Sequence, residues 1–170
     1  MKKIALLRGV TPTGKNRIPK MCYVSEILTD AGLSQVQTYI QSGNLIFESD
    51  WEEEHIKACI HDTILEKIGA DLAVVLKEPA QLETAVHENP FDETYDPTRI
   101  HLVFTNDAVH KQLLDVELNG EELKWGNACI YLYLPKDAPK KRLNTNYLER
   151  KLGITATMRK LSVIHHLCQM

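Results

Sequence analysis

The sequence predicts an α+β fold, and three observations lead there. The pattern of apolar residues gives the element order β-α-β-β-α-β over residues 1–78 and again over 99–170. Each half places Gly-Asn at its hairpin turn, Gly43-Asn44 and Gly126-Asn127. Residues 79–98 between them hold a short helical pattern and then the one wide, turn-rich break. That order is the split βαβ, so the expected architecture is two tandem ferredoxin-like (βαββαβ) plaits with mainly antiparallel sheets. A linking helix and an extra C-terminal helix complete it. The expected division is 1–78, a linker of 79–98, and 99–170.

Taken in order, Lys3 to Gly9 is the first strand. Pro19 suits a first helical turn, and Met21, Val24, Ile27, Leu28 and Ala31 follow at helical spacing up to Gly32. Val36 to Ile40 alternates as a strand, Gln41-Ser42-Gly43-Asn44 turns, and Leu45-Ile46-Phe47 returns. Asp50 with Glu53 fits a capping box ahead of the stripe Ile56, Cys59, Ile60, Ile64 and Ile68, which Gly69 closes. Leu72 to Leu76 is a buried strand, and Pro79 to Asn89 a linking helix. In the second half Ile100 to Phe104 is a strand, and Asn106-Asp107 caps an expected helix through Val109, Leu113 and Leu114. Glu121 to Trp125 and Ala128 to Leu134 form the hairpin. Asn144 then caps a helix that Gly153 ends, with a strand over 154–158 and a last helix from Leu161.

A chain of 170 residues, 44% hydrophobic, can bury a substantial core. No apolar stretch approaches membrane-spanning length, and MKKIALLRG is interrupted too early by Arg8 to serve as a signal peptide. The four cysteines are scattered without a CxxC pair, and three lie in runs that look buried. The expectation is reduced thiols in a cytoplasmic protein. The net charge of −3 hides an uneven distribution. Residues 1–49 carry +3, 50–125 carry −12 and 126–170 carry +6. If the two ends meet, they form one basic surface on an acidic body.

In a βαβ crossover the two strands run parallel, so their loops leave the sheet at the same end. Arg8, Gly14, Lys15, Asn16 and Arg17 should therefore neighbour Gln41, Ser42, Gly43 and Asn44. Three cations, a hydroxyl, side-chain amides and glycines suit a phosphate, a carboxylate or a nucleic-acid backbone. The expected ligand is an anionic small molecule, with Arg8 and Lys15 supplying charge. An enzyme at the same edge would use either cation against developing negative charge. Residues 9–16 also read GxxxxGK, but Asn16 stands where a phosphate-binding loop needs Ser or Thr, and Pro19 moves the helix start downstream.

The second basic group offers nucleic acid as an alternative partner, through Lys140, Lys141, Arg142, Arg150 and Arg159. Tyr131 and Tyr133 share a strand face that could stack bases, although no RNP signature is present. Ser42 lacks a GxSxG frame, and His165, His166 and Cys168 lie on one helix, where adjacent side chains point about 100° apart. The expectation is no metal and no cofactor. Self-association through an exposed apolar patch is a further possibility.

Several stretches together resemble a family of bacterial proteins known as domain of unknown function 1697. They are ALLRG with GKNRIP, then TYIQSGNLIF, NPF at 89–91, LERKLG and TATMRK. In that family the first loop commonly reads RGINVGGKN, where this chain has Val10-Thr11-Pro12-Thr13. After the TxR element Lys160-Leu161 replace Asn-Trp, so a role carried by that tryptophan does not transfer. The resemblance implies a duplicated ferredoxin-like α+β fold, and it brings no activity, cofactor or partner.

Overall fold

The computed structural model describes residues 1–170 and separates into two compact units, Met1–Pro79 and Ala80–Met170. The fold is α+β, with two four-stranded antiparallel sheets and five helices.

The first unit runs β1 (Lys2–Arg8), α1 (Met21–Asp30), β2 (Ser34–Tyr39), β3 (Asn44–Glu48), α2 (Glu53–Ile68) and β4 (Ala73–Lys77). Its strand order is β2-β3-β1-β4. Both β1 and β2 pair with β3 antiparallel, so they run parallel to each other as the crossover through α1 requires. Ile4 to Leu7 are all buried, which explains why β1 reads as an unbroken apolar run. Ala5, Leu7, Leu45, Phe47, Val74 and Leu76 meet the inner stripes of α1 and α2 in one core. Gly69 ends α2 in the left-handed conformation, with its N–H on the carbonyls of Ile64 and Leu65. The capping box expected at Asp50 does not form. The helix starts after Glu52 without a side-chain cap, because Asp50 lies 3.0 Å from the Met1 ammonium instead.

The second unit contains α3 (Pro79–His87, entered from the last residue of the first), a 3-10 turn at Pro97–Arg99, β5 (Ile100–Thr105), β6 (Glu122–Trp125), β7 (Ile130–Tyr133), α4 (Thr145–Leu152), β8 (Ala156–Lys160) and α5 (Leu161–Cys168). Its order, β6-β7-β5-β8, repeats that of the first sheet. The linking loop is built from Asx turns: the carboxylates of Asp92 and Asp96 accept the backbone N–H groups of Thr94 and Thr98.

One expected element is absent. Residues 106–121 form no helix. Asp107 does not cap one. Its carboxylate accepts the Thr155 N–H at 2.8 Å and the Thr105 hydroxyl, tying the end of β5 to the entry of β8. Such side-chain bonds to backbone compete with helix formation. Val109, Leu114, Val116 and Leu118 still pack on the core as irregular chain, while Leu113 is 92% exposed. The cysteines also depart from expectation. Only Cys129 is buried, Cys59 and Cys168 are half-buried, Cys22 is exposed, and all four are free thiols. No helix is long and apolar enough to cross a membrane.

Candidate functional site

The loop between β1 and α1 is a self-bonded arch. The Thr11 N–H donates to the Asn16 carbonyl at 3.1 Å, the Arg17 N–H to the Gly14 carbonyl at 3.3 Å, and the Thr11 hydroxyl to the Thr13 carbonyl. Ile18 is buried and pins the arch to the core. Gly14, Lys15 and Arg17 are exposed, and Arg8 is half-buried with its Nε enclosed. The GxxxxGK match does not fold as a phosphate-wrapping loop. The Thr11 N–H within it and the Arg17 N–H just after it are turned onto the loop's own carbonyls, and the helix begins only at Met21.

The hairpin turn between β2 and β3 lies against this arch. The Gly43 carbonyl accepts the Leu7 N–H at 2.9 Å, and the Gln41 side-chain amide donates to the Ile18 carbonyl. A Cβ on Gly43 would stand 2.9 Å from Leu7 Cβ and 3.0 Å from Val10 Cγ2. The turn thus touches residues on both sides of the cationic loop, as the parallel β1 and β2 require. Asn44 is fully buried and works from inside the turn, donating to the Tyr39 carbonyl at 2.9 Å and to the Ser42 hydroxyl at 3.0 Å. Asn16 is likewise committed, its Oδ1 accepting the Asp71 N–H at 3.1 Å. Gln41 and Ser42 are exposed beside them, and Gly43 is buried. The groups that face solvent are therefore Lys15, Arg17, Gln41 and Ser42, with Arg8 behind them. Asn16, Gly43 and Asn44 shape the rim.

Through Asp71 the rim reaches a histidine that no motif marked. His61 lies on α2, with Nδ1 2.9 Å from Asp62 and Nε2 2.7 Å from Asp71. The Asp62 carboxylate, followed by that of Asp71, raises the imidazole's pKa above its ordinary value, so both ring nitrogens donate when it is charged. Spacing could not reveal this pair, because Asp71 lies across the α2–β4 turn.

The second basic group separates in space. Lys140, Lys141 and Arg142 are exposed on a loop, and the Arg142 and Leu143 N–H groups donate to Glu121 Oε1 at 2.6 and 3.2 Å. Glu121 is only 4% exposed, a buried carboxylate that staples the basic loop to the start of β6. Arg150 is exposed in the last turn of α4, 6.0 Å from the Tyr147 ring, where a cation also suits the helix dipole. Arg159 does not join them. It is 7% exposed and donates to the Thr157 hydroxyl and the Met158 carbonyl, and burial lowers its pKa to about 10.

Nor is the tyrosine face open for stacking. Tyr131 is buried, its hydroxyl donating to the Ala85 carbonyl at 2.6 Å, and burial pushes that hydroxyl's pKa well up. Tyr133 packs with Phe91 and Tyr95 beneath the linking loop. A cleft of about 420 Å³ in the second unit lies among the end of α3, Pro97–Thr98 and the start of α5, with Ser162 and His165 on its wall. No three His, Cys, Asp or Glu side chains converge in a metal-binding group.

A family model described as "Protein of unknown function (DUF1697)" matches residues 1–131. Comparison with curated proteins gives no match. Among solved structures, that of conserved bacterial protein SP0830 from Streptococcus pneumoniae is similar over 99% of this chain and 97% of its own. The TM-score is 0.72 at 20% sequence identity, a likeness of fold alone.

Proposed function

We infer, for a chain that belongs to the DUF1697 family of proteins of unknown function, that it binds a small anionic ligand, phosphate- or carboxylate-bearing, at the rim formed by the β1–α1 loop and the β2–β3 turn. The observation that carries this is the hydrogen bonding of the hairpin turn onto both flanks of the cationic loop. It leaves Lys15, Arg17, Gln41 and Ser42 exposed on two adjoining loops, with Arg8 at the strand end. Cations supply attraction there, and the hydroxyl and amide supply direction. Each unit is proposed to be a ferredoxin-like plait, 1–78 and 99–170 about a 79–98 linker, with irregular chain in place of the second plait's first helix. The shared strand order and the parallel β1 and β2 support that assignment. A cytoplasmic setting goes with four free thiols.

A second reading has one observation in its favour. An enzyme at the same rim needs a proton carrier, and His61, joined to the loop through Asp71, is the side chain that would serve. The nucleic-acid alternative keeps Lys140, Lys141, Arg142 and Arg150 but has neither Arg159 nor Tyr131 at the surface.

Titrating the ¹⁵N-labelled chain with inorganic phosphate tests the anion site. Amide shifts should concentrate in residues 8–18 and 40–44, weaken with added salt, and disappear in a Lys15→Ala/Arg17→Ala double variant. Shifts confined to residues 136–150, or none at all, would reject it.

A further inference from the structure

Ile40 combines two properties that work against each other. Its φ is +49°, in the left-handed region, where a β-branched side chain is strained. Packing into the core could offset that, yet Ile40 is 47% exposed. Asn or Gly would occupy the position more cheaply. The conformation is imposed by its surroundings: Asn44 bonds the Tyr39 carbonyl on one side, and Gln41 bonds the Ile18 carbonyl on the other. Gln35, also at positive φ, differs, since it is polar and lies in the register shift between Ser34 and Gln37 on β2. Strain kept by the framework around it is characteristic of ligand-contacting positions. Here it holds an apolar side chain in solvent beside Gln41 and Ser42.

We propose that Ile40 contacts the apolar part of the ligand, so that the ligand is an organic anion: a phosphate or carboxylate joined to an aryl or branched alkyl body. This rests on the anion-binding reading above and names the class of molecule that fits it. One isoleucine offers far less than the few hundred Å² of a protein docking patch. It offers enough to cover one face of a ring or a branched chain.

The test compares inorganic phosphate with phenyl phosphate by ¹⁵N NMR titration, on the full wild-type chain and on Ile40→Asn. Wild type should bind phenyl phosphate about tenfold more tightly than phosphate, the gain expected from burying part of one apolar side chain. Ile40→Asn should keep its phosphate affinity and lose most of the phenyl advantage. Its thermal midpoint should rise by about 2–4 °C as the backbone relaxes. Equal affinities in wild type, or an undiminished advantage in the variant, would overturn the role of Ile40 while leaving the anion site standing. A lowered midpoint in the variant would do the same, by showing that the side chain serves packing. Failure of both anions to shift residues 8–18 and 40–44 would remove the anion site and this inference with it.

Discussion

Replacing Gly43 with alanine measures how closely the hairpin turn approaches β1. Two costs arise. Gly43 sits at φ +89°, where a Cβ costs roughly 1–2 kcal/mol. The new methyl would also meet Leu7 Cβ at 2.9 Å and Val10 Cγ2 at 3.0 Å. Leu7 belongs to a strand bonded on both edges, by β3 and by β4, so it cannot withdraw freely. Overpacking of this kind costs about 1–3 kcal/mol, for a total of about 2–5 kcal/mol. Gly14→Ala is the matched control. Gly14 has φ +84° but nothing within 4 Å of the added methyl, so only the conformational cost, roughly 1–2 kcal/mol, applies. Urea unfolding read by Trp51 fluorescence reports the first unit, in a Trp125→Phe background that silences the other tryptophan. Should Gly43→Ala prove no more destabilising than Gly14→Ala, the close approach of turn and strand is wrong, and the composite rim goes with it.

Glu121→Ala strips a buried carboxylate from two backbone N–H groups. It should cost about 2–4 kcal/mol and make residues 136–144 more open to limited proteolysis; unchanged cleavage there would contradict the staple. Tyr131→Phe leaves the Ala85 carbonyl without its buried donor and should cost about 1–2 kcal/mol in urea unfolding. His61 makes stability depend on pH. Its folded pKa is raised, so its contribution is complete below the ordinary value of 6.5 and fades as pH climbs through the folded value. The stability gap between wild type and His61→Gln should therefore be wider at pH 6 than at pH 8.5. A gap that is the same at both would show that the Asp62 and Asp71 contacts do not hold in solution.

Most of the framework was legible because it follows from periodicity. The stripe of α2 appears in the sequence at its folded spacing, and so do Asn144 and Gly153 at the ends of α4. The alternation expected over Val36 to Ile40 stops at Tyr39, because Ile40 turns left-handed into solvent. Topology then made the rim legible, since two parallel strands must release their loops on the same side. Long-range pairing decided what was missed. Nothing local shows that Asp107 binds Thr155 instead of capping a helix, or that Asp50 meets the Met1 ammonium. Arg159 resembled any strand cation. Its register partner Leu102 also pairs with Tyr131, which puts all three on one face of the second sheet, where each is buried. Within the rim, the expected residues divide between those exposed to solvent, Lys15, Arg17, Gln41 and Ser42, and those bonded into the loops, Asn16 and Asn44. Asn16 and Asn44 carried no local sign that they hold the loops from within.

The irregular stretch at 106–121 bears on how the chain acquires its structure. In the first unit each strand crossing is made through a helix that can form within its own segment, so few distant contacts must precede closure. In the second, β5 and β6 are joined by chain with no local hydrogen-bonded scaffold, held chiefly by partners some 30–50 residues away, such as Thr155 and Tyr147. Chain-closure entropy must be overcome there before any reward arrives. Refolding should accordingly be biphasic, with the amino-terminal half condensing early and its neighbour limiting the overall rate.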